Sequence, residues 1–279
     1  MESEFKNRKR LLLVASLFLF MLIAAGCSTA PVSSASTGFW DHYIIYNFSR
    51  FLLWLADIFG GSYGWAIVAF TIIIRLIILP LTWWQSKTMM KQQEVAPEIQ
   101  ALQKKYASKD VETQQKLREE TQKLYAEAGV NPVIGCLPLL VQMPVLIALY
   151  QAIYRTSALK SGSFLWMQLG KADPYFIMAI LAAVFTFATS YLTMMSQPTK
   201  NATTTAMLWV MPIMIFVMAM NIASAVSIYW VVTNAFSVGQ TMVIQNPFKI
   251  RREREAKEQA KRDREKALAK ARKKATKKR

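Results

Sequence analysis

The chain has few of the groups from which catalytic, metal or disulfide sites are built. Its 279 residues include a single histidine, His42, and two cysteines, Cys27 and Cys136. A disulfide framework is not implied, and His42 has no partners at metal-ligand spacing. The patterns G-x-x-x-x-G-K-[ST], G-x-G-x-x-G and G-x-S-x-G are all absent. We therefore predict no catalytic residue, no metal and no cofactor, and we expect no energy from nucleotide hydrolysis on this chain.

Negative charge is also scarce, with 17 acidic residues against 34 lysines and arginines and a net charge of +17. Hydrophobic residues nevertheless make up 53% of the chain. These two values conflict for a soluble domain, but they agree for a membrane protein with a basic aqueous tail. The composition thus predicts an integral membrane protein.

The N-terminus is organised like a targeting signal, with basic residues before an apolar stretch, Leu11–Ile23, and small residues before Cys27. The run L-I-A-A-G-C is similar to the lipobox of bacterial lipoprotein signals, although Ala24 replaces the usual leucine. We predict a signal peptide at 1–26 and a lipidated Cys27; an uncleaved signal anchor with a buried cysteine is the alternative. Residues 27–61 would then hold a flexible tether, Ser28–Thr37, and an amphipathic helix in the outer interface, Asp41–Phe59.

Five apolar segments in residues 62–245 are predicted to span the membrane as helices. They are Gly64–Trp84, Pro132–Tyr154, Pro174–Met195 and two within Ala206–Gln245. The last two are separated by a short turn near Asn221–Ser224, so the fourth span is expected to be nearer 15 residues long. Between the first two spans, residues 85–130 have the apolar spacing of a helical hairpin with a thin, weakly packed seam.

The distribution of lysine and arginine predicts the orientation. The hairpin, the loop Ser196–Thr205 and the tail carry 25 of these residues, whereas the opposite side carries only four. The hairpin and the tail, residues 246–279, are therefore predicted to be cytoplasmic, and the mature N-terminus is predicted to lie outside. We expect a multi-pass protein of the cell (plasma) membrane with a lipid-anchored N-terminus.

Arg75 is the only charged residue in the first span, and none of the five spans contains an acidic residue that could pair with it. A charge at mid-depth costs about 3 to 17 kcal/mol, which favours a water-filled cavity around it. Thr71 and Thr82 share roughly one helix face with Arg75, and Pro80 predicts a kink nearby. A hydrated cationic cavity of this kind would attract an acidic segment of another molecule.

The fifth span carries a stripe of polar or amphipathic residues at steps of three or four: Ser224, Ser227, Trp230, Asn234, Ser237 and Thr241. Such stripes often only hold helices together. Next to an unpaired arginine, the lining of a cavity is the better interpretation.

Three segments resemble the YidC family of membrane protein insertases. They are N-P-V-I-G-C-L-P-L-L-V-Q-M-P-V-L-I-A-L-Y (Asn131–Tyr150), I-I-R-L with P-L in the first span, and S-A-V-S-I-Y-W-V-V-T-N (Ser224–Asn234). The resemblance extends from about Ser62 to Gln245. It implies an all-α membrane protein with five transmembrane helices around a hydrophilic groove, and a cytoplasmic helical hairpin. The signal and the lack of a large outer domain are similar to the Gram-positive branch.

The resemblance also implies a function and a site. Family members move nascent transmembrane segments into the bilayer, alone or with the Sec translocon. The groove arginine of the family corresponds to Arg75, its aromatic pair to Tyr229 and Trp230, and a polar position of the third span to Thr193 or Gln197. Gln142 is a polar residue of the second span. With it and the polar residues named above, the predicted substrate-binding groove comprises Arg75, Thr71, Gln142, Thr193, Gln197, Tyr229, Trp230 and Asn234.

The tail, Lys249–Arg279, has 16 basic and five acidic residues and no aromatic residue. It is therefore suited to phosphate neutralisation rather than to base reading. Membrane lipids and ribosomal RNA are the two anionic surfaces within reach, and the resemblance favours the ribosome. The residues predicted to contact the anionic surface are Lys249, Arg251, Arg252, Lys273, Lys274, Lys277, Lys278 and Arg279.

Two other functions compete with insertion. A small-solute transporter or channel would predict internal repeats and correspondingly broken spans, and no such duplication is present. A passive assembly scaffold would not need an unpaired arginine at mid-depth.

Overall fold

The computed structural model describes residues 30–131, 134–135, 137–198 and 202–277. The predicted signal peptide, Cys27 and the tail residues Lys278 and Arg279 lie outside these residues. Contacts between Cα atoms divide the chain into two compact units. The first unit comprises Met1–Ile77, Cys136–Ala182 and Ile215–Thr233, and the second comprises Ile78–Gly135, Ala183–Met214 and Asn234–Arg279.

The chain is mostly helical, as expected for an all-α membrane protein. A π-helical segment, Phe39–Tyr46, leads into α1 (Asn47–Ile58), which is followed by α2 (Tyr63–Ile77), α3 (Leu79–Lys105), α4 (Val111–Glu127), α5 (Leu137–Arg155), α6 (Ser157–Ser161), β1 (Ser163–Phe164), β2 (Met167–Gln168), α7 (Ile177–Ser196), α8 (Ala202–Asn221), α9 (Ser224–Ile244) and α10 (Pro247–Lys277).

In the first unit, the N-terminal helix packs against α2. The helix predicted at Asp41–Phe59 is present, beginning at Phe39 and ending at Ile58. Gly60 and Gly61 follow with φ of 64° and 85°, a conformation that costs glycine little, and the chain bends by 115° into α2. The fully buried Leu52 and Ile67, with Phe70 at 2% exposure, belong to the core that forms here.

A short antiparallel hairpin, β1 with β2, also belongs to the first unit and was not predicted. Phe164 lies directly over Gly64, where an added Cβ would come within 1.9 Å of the ring. The carboxylate of Asp173, 1% exposed, accepts hydrogen bonds from Trp166 Nε1 at 2.8 Å and from the Met178 amide at 2.8 Å. These contacts fix the loop before α7 and satisfy free amides at the start of that helix.

The helix break expected near Pro80 occurs at Ile78, between α2 and α3. Pro80 occupies the first turn of α3, where its missing N–H costs no hydrogen bond. The structure corrects the expectation that Thr82 shares a helix face with Arg75, because the two residues belong to different helices. Helix α3 also continues past Trp84 to Lys105, so the first span and the hairpin have no helix boundary at Gln85.

In the second unit, α3 and α4 form the predicted helical hairpin. Asp110 begins α4 by accepting a hydrogen bond from the Thr113 amide at 2.8 Å. The apolar seam is as thin as expected, since the described side chains of Ile99, Leu102 and Leu117 are all only partly buried. The hairpin thus has little apolar contact to hold it closed.

Two described helices are long and apolar enough to cross a membrane, namely Ile177–Ser196 and Thr204–Asn221. The bent pair Phe39–Ile58 and Tyr63–Ile77 gives a third candidate if it counts as one span. The prediction of a fourth span of about 15 residues was wrong. Helix α8 has 20 residues because it begins early, at Ala202, and only Ile222 and Ala223 separate it from α9.

Candidate functional site

Helix α2 carries Thr71 and Arg75 one turn apart. Thr71 is fully buried, and its hydroxyl donates to the carbonyl of Ile67 at 2.6 Å, so this hydroxyl is used within the helix. Arg75 is only partly buried, and the neighbouring Leu76 and Ile77 are exposed. The guanidinium therefore lies where the helix surface changes from packed to open.

The side chain of Arg75 has no salt bridge and no hydrogen bond within the described ranges of the chain. Its electrostatic neighbour is the hydroxyl of Tyr229 on α9. A tyrosine hydroxyl is a dipole and not a countercharge, so it does not neutralise the guanidinium. The positive charge remains available to a group from outside the chain.

Tyr229 also connects α9 with α5, because the amide of Gln142 donates a hydrogen bond to its hydroxyl. The tyrosine is 2% exposed, whereas the adjacent Trp230 is only partly buried. The first unit thus brings Arg75, Gln142 and Tyr229, three residues predicted for the groove, into one polar cluster. We call these three residues the Arg75 cluster.

Known proteins resemble this chain over most of its length. The family described as "60Kd inner membrane protein" matches residues 54–253. The membrane protein insertase YidC of Enterococcus faecalis is 55% identical over 95% of this chain and 96% of its own length. The membrane protein insertase YidC 2 of Lactiplantibacillus plantarum is 57% identical over 91% of this chain and 92% of its own.

The chain belongs to the YidC family of membrane protein insertases. A crystal structure described as an active YidC insertase with the first transmembrane domain resolved is also similar, with a TM-score of 0.58 and 30% identity. That likeness covers 73% of this chain and 46% of the other, so the chain spans about half the length of that protein. Family membership makes this a cell membrane protein and selects insertion over the transporter, channel and scaffold alternatives.

The other residues predicted for the insertase groove belong to the second unit. The hydroxyl of Thr193 donates to the carbonyl of Thr189 at 2.9 Å, as Thr71 does within its own helix. Gln197 follows the last residue of α7, and its carbonyl accepts a hydrogen bond from Arg254. Asn234 on α9 is partly buried and has an interaction partner. The roles of these residues toward a substrate stay predictions.

The polar stripe of α9 divides into two kinds of position. Ser224 is buried and donates to the carbonyl of Lys171 at 2.7 Å, and the buried Ser227 lies 3.4 Å from the carbonyl of Ala219. These two hydroxyls attach α9 to its neighbours, which is the helix-packing interpretation of such stripes. Trp230, Asn234 and Ser237 are only partly buried, and Trp230 directly follows Tyr229 of the Arg75 cluster in the sequence.

Sequence reasoning missed a buried ion pair in the first unit. The side chain of Arg155, 4% exposed, donates to both carboxylate oxygens of Asp41 at 2.8 and 2.6 Å. It also donates to Gln151 Oε1 at 3.0 Å, and Gln151 in turn accepts from Trp40 Nε1 at 3.3 Å. We call these four residues the Arg155 network. The sequence signal that could have revealed this pair is Arg155 at the end of α5 together with Asp41 in the segment Phe39–Tyr46.

The Arg155 network also corrects the prediction of a flexible tether at Ser28–Thr37. Arg155 Nε donates to the carbonyl of Ala30 at 2.7 Å, and the amide of Val32 donates to the carbonyl of Arg155 at 3.1 Å. Ala30 and Val32 are therefore fixed to the end of α5, the first through the guanidinium of Arg155 and the second through its backbone carbonyl. Only the residues before Ala30 precede this attachment.

The second unit contains a largely apolar cavity of about 690 Å³ where the start of α3 packs beside the end of α9. Thr82 Oγ1 accepts a hydrogen bond from Gln240 Nε2 at 2.8 Å and joins the two helices there. The lining residues are Leu79, Pro80, Trp83, Phe236, Gly239, Gln240, Val243 and Ile244. No group of acidic, histidine or cysteine side chains in the described ranges has the arrangement of a metal site.

Residues Pro247–Lys277 of the basic tail form one continuous helix, α10. Lys249, Arg251 and Arg252 are exposed at its beginning. Lys273, Lys274 and Lys277 belong to its last turns, and Lys278 and Arg279 follow beyond the described residues. The predicted contacts of these residues with an anionic surface stay predictions.

Proposed function

We propose that this insertase receives the acidic or polar segment of a nascent membrane protein at Arg75 while the adjoining apolar segment enters the bilayer. The observation that carries the proposal is the positive charge of Arg75 in an apolar helix, without an ionic partner in the residues that the structure describes. Burying an uncompensated charge is costly, so a site that keeps one must gain from it elsewhere. Transient pairing with a substrate carboxylate would supply that gain.

The Arg75 cluster supports binding rather than catalysis. The partly buried Gln142 offers an amide that can exchange hydrogen bonds with the backbone of a passing chain, and the buried hydroxyl of Tyr229 holds that amide in place. Neither group is a nucleophile activated by a neighbouring base, and insertion requires no covalent step. We assign Arg75 the role of holding charge, Gln142 and Trp230 the role of a polar and aromatic lining in a hydrated groove, and Tyr229 the role of supporting that lining from behind.

Helices α7 and α8 are proposed to present the apolar route. Large side chains remain exposed on them, including Ile180 and Val184 on α7 and Trp209, Ile213 and Val217 on α8. In water such surfaces would be unfavourable, whereas lipid chains or a substrate helix can cover them. We propose five spans, with α9 and the α2–α3 and α5 segments completing the set.

The N-terminus is proposed to lie outside and to carry a lipid on Cys27. The attachment of Ala30 to Arg155 supports this arrangement, since three residues can extend only about 10 Å from that point. The acyl chains would enter the membrane close to the end of α5. Intact mass of the membrane-extracted protein tests the lipid: a diacylglycerol adduct on a chain beginning at Cys27 is expected, and an unmodified full-length chain would exclude it.

The basic tail is proposed to bind ribosomal RNA and so to keep the source of the substrate close. Attraction of lysine and arginine to anionic lipids contributes about 1 kcal/mol per residue and acts at the same time. Binding to ribosomes should weaken steeply with salt and should disappear when residues 249–279 are deleted. Co-sedimentation of the detergent-solubilised protein with ribosomes decides whether the tail binds ribosomal RNA. Equal co-sedimentation with and without the tail would show that the tail binds only the membrane. Cooperation with the Sec translocon stays a prediction from the family resemblance.

Reconstitution separates insertion from transport. Purified protein in liposomes should insert a small single-span protein with an acidic translocated tail without added nucleotide. The same liposomes should show no more ion flux than protein-free liposomes. Flux without insertion would reject the proposed function in favour of a channel.

A further inference from the structure

The basic tail begins at a fixed corner. Asn246 has a φ of 42°, its amide donates to the carbonyl of Thr241 at 3.2 Å, and its side chain accepts from the Lys249 amide at 3.1 Å. Pro247 follows as the first residue of α10, where proline suits a helix. The direction of α10 relative to the end of α9 is therefore set within its first turn.

A second contact holds α10 two turns later. Arg254 Nη1 donates to the carbonyl of Gln197 and Nη2 to the carbonyl of Ser196, both at 2.5 Å. The last carbonyls of α7 have no donor within that helix, and they form the negative end of its dipole. A planar guanidinium can satisfy two such carbonyls at once, which a lysine cannot do in the same geometry.

Arg254 differs from the rest of the tail in its exposure. Among residues 251–270, it alone is partly buried, and the others are exposed. Around it, α10 and α7 enclose a cavity of about 370 Å³ lined by Tyr191, Met194, Met195, Gln197, Pro198, Arg251, Arg254, Glu255 and Glu258. The contact is therefore an interface between two helices and not an isolated surface hydrogen bond.

The charges of α10 divide the tail into two parts. All five acidic residues lie before Lys266 and compensate part of the positive charge there, as in the Arg251–Glu255 pair at 2.7 Å. Residues 266–279 contain eight basic residues and no acidic one. We call Pro247–Glu265 the docked base and residues 266–279 the basic end. The distance along the helix from Arg254 to Lys266 is about 18 Å.

We propose that Arg254 is a positioning residue that fixes the docked base to the end of α7, so that the docked base acts as a spacer that holds the start of the basic end at a set place. The inference rests on the proposed ribosome binding of the tail. A freely moving tail would give the same phosphate affinity, but it would not hold a bound ribosome in one orientation. The spacer would align the nascent chain with the insertase during synthesis.

The test compares Arg254→Gln with Arg264→Gln, which removes the same charge from an exposed side chain of the docked base. In full-length protein in nanodiscs, amide exchange of residues 251–258 should be at least ~10-fold faster in R254Q than in R264Q, because a highly charged helix alone is marginal. Arg254→Lys should recover part of this protection. Equal amide exchange in R254Q and R264Q would contradict the proposal that Arg254 fixes the docked base.

The functional readout separates affinity from alignment. R254Q should co-sediment with ribosomes within ~2-fold of R264Q, because counterion release depends on the basic end that both retain. Insertion of a chain still attached to its ribosome should fall at least ~5-fold in R254Q only, a loss of about 1 kcal/mol in coupling. Insertion of a released, full-length substrate should stay unchanged.

Two outcomes would reject the inference in different ways. If R254Q exchanges faster but inserts ribosome-attached chains normally, Arg254 fixes the docked base without any role in aligning the ribosome. Failure of the wild-type protein to co-sediment with ribosomes would reject the proposed ribosome binding itself. The exchange comparison would then still decide whether Arg254 fixes the docked base.

Discussion

Arg155 and Arg75 are both partly or fully buried arginines of the first unit, yet their surroundings differ. Arg155 has a carboxylate, a carbonyl and an amide oxygen as partners, and all of them come from the same chain. Arg75 has the hydroxyl dipole of Tyr229 and no ionic partner in the described ranges. The charge that maintains the fold is compensated internally, whereas the charge that we propose to serve a substrate is left uncompensated.

The same contrast separates the loop before α7 from the helical hairpin. Asp173 is 1% exposed and accepts several hydrogen bonds, so its surroundings are closed and specified. In the hairpin, the residues that join α3 and α4 remain only partly buried, and the ion pair Lys116–Glu112 lies on the surface. Surface pairs of this kind contribute little. We therefore expect the first region to stay fixed and the second to move.

The largest expected difference is in amide exchange. We expect the hairpin, residues 85–130, to exchange at least ~1,000-fold faster than the middle of α9, because opening it breaks few apolar contacts. Hydrogen exchange with mass spectrometry in nanodiscs measures this directly. Slow exchange throughout the hairpin would show that it is a rigid element and would remove the contrast.

Breaking the ion pair of the Arg155 network should lower stability strongly. We expect Asp41→Asn to reduce the free energy of unfolding by about 3 kcal/mol, because it leaves the Arg155 guanidinium buried without a countercharge. The double variant D41N/R155Q should be more stable than D41N alone, since it removes the orphaned charge. Thermal unfolding in detergent, followed by tryptophan fluorescence, gives both values; identical unfolding of wild type and D41N would contradict the internal compensation.

Replacing Arg75 should affect function rather than stability. We expect Arg75→Ala to lower insertion of a substrate with an acidic translocated segment at least ~10-fold, because a hydrogen bond to a charged group contributes about 1.5–3 kcal/mol. Arg75→Lys should retain much of the activity, since it keeps the charge. Insertion into liposomes containing each variant measures the effect.

A matched substrate and a matched variant sharpen this prediction. A substrate whose translocated segment is neutral should be inserted equally well by wild type and R75A. In thermal unfolding, Arg75→Gln should not be less stable than wild type, in contrast to Arg155→Gln. Undiminished insertion of the acidic substrate by R75A would exclude the electrostatic role.

The smallest expected effect concerns the start of α4. The Ser108 hydroxyl, together with the Thr113 amide, holds the pKa of the Asp110 carboxyl at about 2, below its usual 3.8. Because the folded pKa is lowered, the stabilisation is present above 3.8 and is lost as the pH falls toward 2. Asp110→Ala should speed exchange in the first turn of α4 at neutral pH, whereas Asp110→Asn should change it little.

Acid titration provides the control for this cap. In wild type, the amide exchange rates in the first turn of α4, corrected for intrinsic exchange, should rise only as the pH falls from 3.8 to about 2. In D110A they should show no such step. A step of the same size in both proteins would assign the titration to a different group.

Much of the fold follows from local sequence. The helices α7 and α9 were predicted to within a few residues because each depends on its own apolar spacing. Pro80 predicted the interruption at Ile78 from an equally local signal. The start of α3 was not predicted, since it lies at Leu79 within the predicted first span. The length of α8 was misjudged because hydropathy marks where a chain is apolar, whereas the helix extends further into polar residues. The β1–β2 hairpin, with two residues per strand, leaves no periodic signal.

The sequence by itself determined that this is a membrane protein with a basic tail, and that no span offers a carboxylate to Arg75, since both conclusions require only counting along the chain. Tertiary structure alone decided which groups meet. Arg155 finds Asp41 across 114 residues, Gln142 finds Tyr229 across 87, and Arg254 finds the carbonyl of Gln197 across 57. Hydrogen bonds and ion pairs act over a few ångströms, so their partners are defined only when the folded chain brings them together.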